Sequence, residues 1–219
     1  MKVEKGKMRK FDEKKFANVS TVEEVTIYSE FVDIEIVASS DHQLEVRLQG
    51  SAKCDEKIDI VVQEVDVEKK KLQIRLEPKG NFYKGNLTCW IFIPQNSVKK
   101  ISVDTVSAEV NLREDLCIER FVAHTKSGNV DCCMAQFARA NITTESGSVD
   151  ILFEATGNVT TEITTVSGNA RITLWNVGEV NLLTKRCGTN YFDKCKFAKG
   201  YMADLMFYTQ SGSINVIPH

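Results

Sequence analysis

The stretch Thr144-Glu-Ser-Gly-Ser-Val-Asp-Ile151 defines a pattern, T-x-S-G-x-V-x-I, that recurs along the second half of the chain. The other clear copies occupy residues 105–112, 125–132, 165–172 and 209–216, and a degenerate copy spans 184–191. One small residue of each copy can be taken as equivalent, and these residues are Ala108, Gly128, Gly147, Gly168, Gly188 and Gly212. They follow one another at steps of 20, 19, 21, 20 and 24 residues. A regular period of this length is typical of stacked repeat architectures.

Each copy combines a corner with the start of a β-strand. The alternation after the Ser-Gly pair places Val149 and Ile151 on one face and Asp150 on the other. We expect the glycine to occupy the corner because it accepts a positive φ without a Cβ clash. Further glycines at 157, 178 and 200 fall about midway through some repeats. Each repeat is therefore predicted to have two strands and two corners.

Stacking through parallel strand pairing places equivalent residues about 4.8 Å apart, so the interior is expected to consist of columns. Two of these columns are apolar. The first contains Val110, Val130, Val149, Ala170 and Ile214, and the second contains Leu112, Cys132, Ile151, Ile172 and Val216. A third column, of hydroxyls that can bond the corner backbone, contains Thr105, Thr125, Thr144, Thr165, Thr184 and Thr209.

Residues 20–100 are rich in alternating segments but lack the regular repeat. The segment 29–34 echoes the pattern, with Glu30 in the position of the glycine. We expect these strands to begin or cap the stack, because an open end would expose a hydrophobic edge. The first 17 residues hold seven Lys or Arg and three Asp or Glu, and we expect them to form a flexible charged tail.

The step before the last copy is the longest, and its extra residues include the aromatic side chains of Tyr191, Phe192, Phe197 and Tyr201. We expect this longer turn to fold over the last copy as an internal cap. The other interpretation is a dimer that forms at the open edge of the last copy. The cap is favoured because Pro218 lacks an N–H for further strand pairing, and a monomer is therefore favoured over a dimer.

Together these patterns predict an all-β fold, a single-stranded β-helix or β-solenoid with turns of about 20 residues. Right-handed winding is expected because parallel crossovers favour that hand. The chain has only three prolines and no Gly/Ser-rich linker. We therefore expect one solenoid domain over residues 18–219, irregular over 18–100 and regular over 101–219, preceded by the charged tail 1–17.

The composition excludes several classes of partner. A net charge of -2 gives no global attraction to nucleic acid or anionic membrane. No segment approaches the roughly 20 apolar residues of a membrane span, and the charged start does not resemble a secretory signal. We therefore expect a cytoplasmic location. Seven cysteines without regular spacing are typical of reduced thiols in that compartment.

The repeat also carries a family resemblance. It is preceded by an alternating half that ends in Trp90-Ile-Phe-Ile-Pro94 and Val98-Lys-Lys-Ile101. Over residues 20–217 the sequence resembles the "putative adhesin" domains of uncharacterised bacterial proteins. This resemblance implies a β-solenoid and a binding role at a surface, and it brings no catalytic residues.

Few residues indicate catalysis or metal binding. We interpret His124 as an exposed surface residue, because no partner for a general base can be placed beside it. Cys132 and Cys133 should point to opposite faces of a strand, so they cannot grip one metal ion. Cys187 and Cys195 lack the second thiol pair of a structural zinc site. No catalytic, cofactor-binding or metal-binding residues are predicted.

An outward-facing row of polar residues is expected beside the apolar columns. It contains Asn111, Asp131, Asp150, Arg171 and Asn215. A carboxylate ladder can bind calcium or sugar hydroxyls, but Arg171 interrupts this one, and solvated carboxylates are the simpler interpretation. Asp131 and Asp150 would also meet the spacing of glycosidase carboxylates, but stacked repeats always produce such a spacing.

These observations favour a non-enzymatic binding or scaffold module with an unknown protein or glycan partner. The alternative is a self-assembling structural protein that resembles the bactofilins. A polysaccharide-acting enzyme of the pectin-lyase type, with Asp131 or Asp150 in its site, is the third hypothesis. The motifs of phosphate-binding loops, nucleophile elbows and zinc proteases do not occur in the sequence.

Overall fold

The computed structural model describes residues 6–66, 68, 70–113, 116–134, 136–185, 189–192 and 200–218. Nineteen β-strands and no helix occur among these residues, which confirms the all-β prediction. In chain order the strands are β1 (Lys7–Asn18), β2 (Glu24–Ser29), β3 (Asp33–Ser39), β4 (Gln43–Cys54), β5 (Ile58–Asp66), β6 (Lys71–Pro78), β7 (Phe82–Pro94), β8 (Lys100–Thr105), β9 (Val110–Leu112), β10 (Cys117–Thr125), β11 (Val130–Cys133), β12 (Gln136–Thr144), β13 (Val149–Glu154), β14 (Val159–Thr165), β15 (Ala170–Trp175), β16 (Val177–Lys185), β17 (Thr189–Phe192), β18 (Tyr201–Thr209) and β19 (Ser213–Pro218).

The strands form two mixed sheets that do not close. Sheet A has ten strands in the order β1-β4-β7-β3-β9-β11-β13-β15-β19-β17, and sheet B has nine in the order β16-β18-β14-β12-β10-β8-β2-β6-β5. Apolar residues from both sheets form one buried cluster. Consecutive strands from β8 to β15 alternate between the sheets, so each repeat has two strands and two corners, as predicted.

Successive repeats pair in parallel and in register, which confirms both apolar columns. Val149 pairs with Val130 on one side and with Ala170 on the other. Ile151 pairs in the same way with Cys132 and Ile172. All ten members of the two columns are buried. Burial of one such valine or isoleucine side chain contributes about 1.5–3 kcal/mol, so the columns contribute strongly to the cohesion between repeats.

The threonine column makes the predicted hydrogen bonds at the corner. The hydroxyl oxygen of Thr144 accepts a hydrogen bond from the N–H of Gly147 at 2.9 Å. The same bond recurs at Thr125, Thr165 and Thr209. The hydroxyl therefore satisfies a corner N–H that would otherwise lack a partner.

The prediction that the corner glycines adopt a positive φ is wrong. Among the described glycines only Gly50 has one. A Cβ on Gly147 would instead lie 1.9 Å from the carbonyl oxygen of Gly128 in the preceding repeat, and a Cβ on Gly168 would lie 2.0 Å from that of Gly147. Glycine is required because the stacked corners leave no room for a side chain.

Strands β2 and β3 form one more repeat. Ser29 pairs with Thr105 and Ile34 pairs with Val110. The hydroxyl oxygen of Ser29 accepts a hydrogen bond from the N–H of Val32 at 3.0 Å, as the threonines do from their glycines. The register places Val32, not Glu30, at the glycine position, so the assignment of Glu30 was wrong by two residues.

Residues 7–17 are not a flexible tail, and that prediction is wrong. They belong to β1, which pairs antiparallel with β4 along its whole length. The side chain of Phe11 is buried in the core. A lysine-rich composition is typical of disordered tails, but it is also typical of edge strands, where charge blocks pairing with other chains.

The last repeat of the sequence is not the last in space. Strand β18 lies between β14 and β16, and β19 lies between β15 and β17. The chain therefore reaches the outermost position first and then returns inside it. The two segments that cross in this way meet at Gly178 and Gly200, where a Cβ on Gly200 would lie 2.3 Å from the backbone nitrogen of Gly178.

This arrangement confirms the predicted internal cap, because β17, which contains Tyr191 and Phe192, pairs along β19. Phe197 lies outside the described residues. The strand order also corrects the predicted threonine column. Thr165 pairs directly with Thr209, whereas Thr184 pairs with Phe207. Thr184 is therefore not a member of the threonine column. The insertion of β18 separates the degenerate copy from the repeat that precedes it in sequence.

Candidate functional site

An open groove of about 800 Å³ lies on the outer face of sheet B, where the N-terminal strands meet the repeats. It forms because β6 continues to Pro78, whereas the pairing of its neighbour β2 ends at Tyr28. The overhanging end of β6 provides one wall. The corners that follow β2 and β8, with Glu30 and Val106, provide the other.

Tyr28 lines this groove. It is flanked by Arg75 on β6 and by Asp104 on β8. The tyrosine is 36% exposed, and Val106 at the rim is 49% exposed. The guanidinium Nε of Arg75 lies 3.0 Å from a carboxylate oxygen of Glu77, so its charge is partly compensated. The groove thus combines an aromatic face, an apolar rim and a few convergent polar groups on paired strands, which is typical of ligand sites.

The row that contains Tyr28 continues across sheet B. Asp104 pairs with His124, and the next members are Thr143, Thr164 and Tyr208. His124 is exposed, as predicted. The register places the carboxylate of Asp104 on the adjacent strand beside it, a neighbour that the sequence analysis did not identify.

The polar row predicted on the other sheet is confirmed by the register of sheet A, which aligns its five members across neighbouring strands. The Nε of Arg171 donates a hydrogen bond of 2.8 Å to the Asp150 carboxylate. This ion pair sits on an open sheet face, and neither Asp131 nor Asp150 lines the groove at Tyr28.

The same row extends past Asn111 to Glu35 on β3, a residue that the sequence analysis missed. Its side chain is almost completely buried, with the residue 8% exposed. The guanidinium of Arg113 binds both carboxylate oxygens, at 2.6 and 3.0 Å, and the Asn111 amide donates a further hydrogen bond at 2.9 Å. Because a buried charge with this many donors is fully compensated, we assign Glu35 a structural role.

Asp131 lies between these two ion pairs. Burial raises its pKa, and the neighbouring Asp150 carboxylate raises it further. A carboxyl group whose pKa is raised in the folded state favours folding when it is protonated. That contribution is lost as the pH rises from the ordinary aspartate value through the raised value.

Asp131→Asn should therefore stabilise the protein at neutral pH. We expect the melting temperature to rise by about 1–2 °C at pH 7, and the difference to disappear near pH 3, where the Asp131 carboxyl is protonated. Circular dichroism melts at both pH values measure it. Asp41→Asn, at an exposed turn, is the matched control. A gain that is equal at both pH values would contradict the assigned cause.

The cysteines do not form a site among the described residues. Cys132 is buried, and burial raises the pKa of its thiol, whereas Cys133 on the other face is partly exposed. Cys187 and Cys195 lie outside the described residues. In the described part of the chain, no three His, Cys, Asp or Glu side chains are placed to hold a metal ion. No helix that could span a membrane occurs there.

One signal in the sequence could have identified part of the groove. Tyr28, Asp104 and His124 each precede the serine or threonine of their repeat, so an alignment that started from Ser29 would have placed them in one row. Arg75 carries no such signal. Strand β6 contains no copy of the repeat, and its position beside β2 follows only from the tertiary fold.

Solved structures with a similar fold come from bacteria. A "putative cell adhesion protein" from Clostridium sporogenes is similar over 96% of this chain and 100% of its own, with 14% identity and a TM-score of 0.54. A "putative adhesin" and a "Putative lipid binding protein", both from Parabacteroides distasonis, give TM-scores of 0.47 and 0.45. The adhesin is 12% identical, and the similarity covers 98% of this chain and 95% of that one. The lipid-binding protein is 16% identical, and the similarity covers 94% of each chain.

No curated protein matches the sequence. The resemblance to putative adhesin domains that the repeat predicted is matched by the name of the Clostridium sporogenes structure. A family model described as Toastrack DUF4097 matches residues 22–217. The chain therefore belongs to the Toastrack DUF4097 family.

Proposed function

We propose that this protein is a non-enzymatic binding module whose ligand, an oligosaccharide, lies in the groove over Tyr28. The observation that carries the proposal is the partly exposed tyrosine that lines the groove between Arg75 and Asp104. A sugar ring can pack its C–H face on the tyrosine ring. Its hydroxyls can then donate to Asp104 and accept from Arg75.

The dimensions of the groove support a ligand of this kind. A volume of about 800 Å³ falls within the range of roughly 300–1,000 Å³ that small-ligand sites occupy. The floor consists of paired strands, so the groups would be held in place before the ligand arrives, which lowers the entropic cost of binding. The adhesion-type name of the Clostridium sporogenes structure agrees with a binding role.

The absence of enzymatic activity is also part of the proposal. The carboxylates that a polysaccharide-acting enzyme would need, Asp131 and Asp150, lie on the opposite sheet, and Arg171 neutralises one of them. In the groove region, Asp104 and His124 are adjacent, but no hydrogen bond joins their side chains. A general base that is not oriented by a partner is a poor catalyst.

The finer description of the fold belongs to the same proposal. We expect the repeats from β8 to β15 to wind as a right-handed β-solenoid, because they alternate between two sheets with parallel pairing and such crossovers favour that hand. The solenoid would act as the rigid support that holds the groove. The cytoplasmic location stays a prediction from the sequence.

A glycan array tests the ligand class. We expect the wild-type protein to bind a subset of immobilised oligosaccharides, and Tyr28→Ala to weaken the best of these interactions by at least about tenfold, as loss of a central aromatic contact usually does. Tyr208→Ala is the matched control, because it lies in the same outward row but on β18, far from the groove. An array without reproducible hits contradicts the proposal, as does equal binding by Tyr28→Ala.

The same oligosaccharides test the proposed lack of catalysis. Incubation of a bound oligosaccharide with the protein should release no reducing ends. If the wild-type protein released reducing ends and the His124→Gln variant did not, the Asp104–His124 pair would be catalytic. An enzymatic function would then replace the binding proposal.

A further inference from the structure

Strand β16 forms the terminal edge of sheet B. It pairs with β18 on one side and with no described strand on the other. The longer turn that forms the internal cap on sheet A therefore leaves β16 as the outermost described strand of sheet B. Val180 and Leu182 on the inner face are only partly buried against the core, and Leu183 on the outer face is 57% exposed.

The two ends of the molecule are protected very differently. At the far end of sheet A, the edge strand β1 carries five basic residues, and at the far end of sheet B, β5 carries three acidic residues and no basic one, with Glu64 exposed and Asp59 and Asp66 half-buried. Such charges disfavour pairing with another chain. Strand β16 has only two charged residues in nine, Glu179 and Lys185. A filament built end to end would need both ends, so this asymmetry favours a closed dimer.

The charges of β16 are arranged for pairing with itself. When two copies of β16 run antiparallel around a two-fold axis at Leu182, each Glu179 faces Lys185 of the other copy. Leu183 then faces Asn181, and Leu182 faces its own counterpart. Burial alternates along the strand, so the paired residues project from the same face. Neither Glu179 nor Lys185 has an ion-pair partner within the described part of the chain.

We infer that β16 is a homodimer interface, at which the nine-stranded sheets of two molecules join antiparallel through their β16 edges. The pairing would join the backbone edges of β16 that face away from β18, cover Leu183, and form two symmetric Glu179–Lys185 pairs. This inference is independent of the proposed ligand groove, which lies near the other end of sheet B.

Charge reversal tests this interface. Sedimentation velocity should show a concentration-dependent dimer for the wild-type protein. Glu179→Lys and Lys185→Glu should each weaken it by about tenfold, because both symmetric pairs change from opposite to like charges. The double variant Glu179→Lys/Lys185→Glu should restore the wild-type affinity. Lys10→Glu, on the distant edge strand β1, should leave it unchanged.

Melting temperatures separate a lost interface from a lost fold. The three β16 variants change exposed side chains, so they should melt with the wild type when each is measured as a monomer. A wild-type protein that stays monomeric at every concentration overturns the inference. A dimer that survives both single reversals, or that the double reversal does not restore, also overturns it.

Discussion

Replacement of Gly147 with alanine should destabilise the repeats severely. The added Cβ would lie 1.9 Å from the carbonyl oxygen of Gly128 and 2.8 Å from the hydroxyl of Thr144. The first of these atoms belongs to the backbone of the preceding repeat, so relief of the clash requires the two corners to move apart. We expect a loss of at least about 3 kcal/mol in the free energy of unfolding, measured by urea denaturation.

Gly157→Ala is the matched control for this change. Gly157 also lies between two strands of a repeat, but no atom outside its own chain neighbours would come within 4 Å of an added Cβ. The free energy of unfolding of Gly157→Ala should stay within about 0.5 kcal/mol of the wild-type value. Equal losses for the two variants would contradict the close approach of neighbouring corners as the reason for glycine at position 147.

Ile151→Asp should unfold the repeat region. Ile151 has no exposed surface and lies in its column between Cys132 and Ile172, neither of which can compensate a charge. A buried carboxylate without a partner costs several kcal/mol, which approaches the whole stability of an ordinary domain. We expect a loss of at least about 4 kcal/mol, seen as a lost or greatly lowered thermal transition in circular dichroism.

The adjacent position provides the control for this second variant. Asp150→Ala removes an outward side chain and a surface ion pair with Arg171, so it should change stability by less than about 1 kcal/mol. The two substitutions differ by one residue along the same strand. If both variants melted alike, the inner and outer faces of β13 would be misassigned.

The regular repeats could be predicted from the sequence because each of their contacts is repeated. The position of Val149 in one copy gives the position of Val130 and Ala170 in its neighbours, since parallel pairing without a shift preserves the register. The reason for the glycine could not be predicted in the same way. Both a positive φ and a close backbone approach select glycine, and only the three-dimensional structure distinguishes them.

The two ends of the stack could not be predicted, for a different physical reason. A repeat pattern shows which segments are equivalent but not the order in which they stack. The last repeat lies inside the one before it, and β2 and β3 lie between β6 and β8 and between β7 and β9. Tyr28 and Asp104 share a row because of the repeat, whereas Arg75 joins them only through that spatial order.

The spatial order of the strands underlies both the groove at β6 and the position of β16 at the end of sheet B among the described strands. Nuclear Overhauser effects measure this order directly. With methyl-labelled threonine, the Thr164 methyl group should show a cross-peak to the ring protons of Tyr208, its neighbour across β14 and β18. Lys185 pairs with Tyr208 on the other side and should show no cross-peak to Thr164. A Thr164–Lys185 cross-peak without the Thr164–Tyr208 one would mean that the repeats stack in sequence order, and would contradict the account.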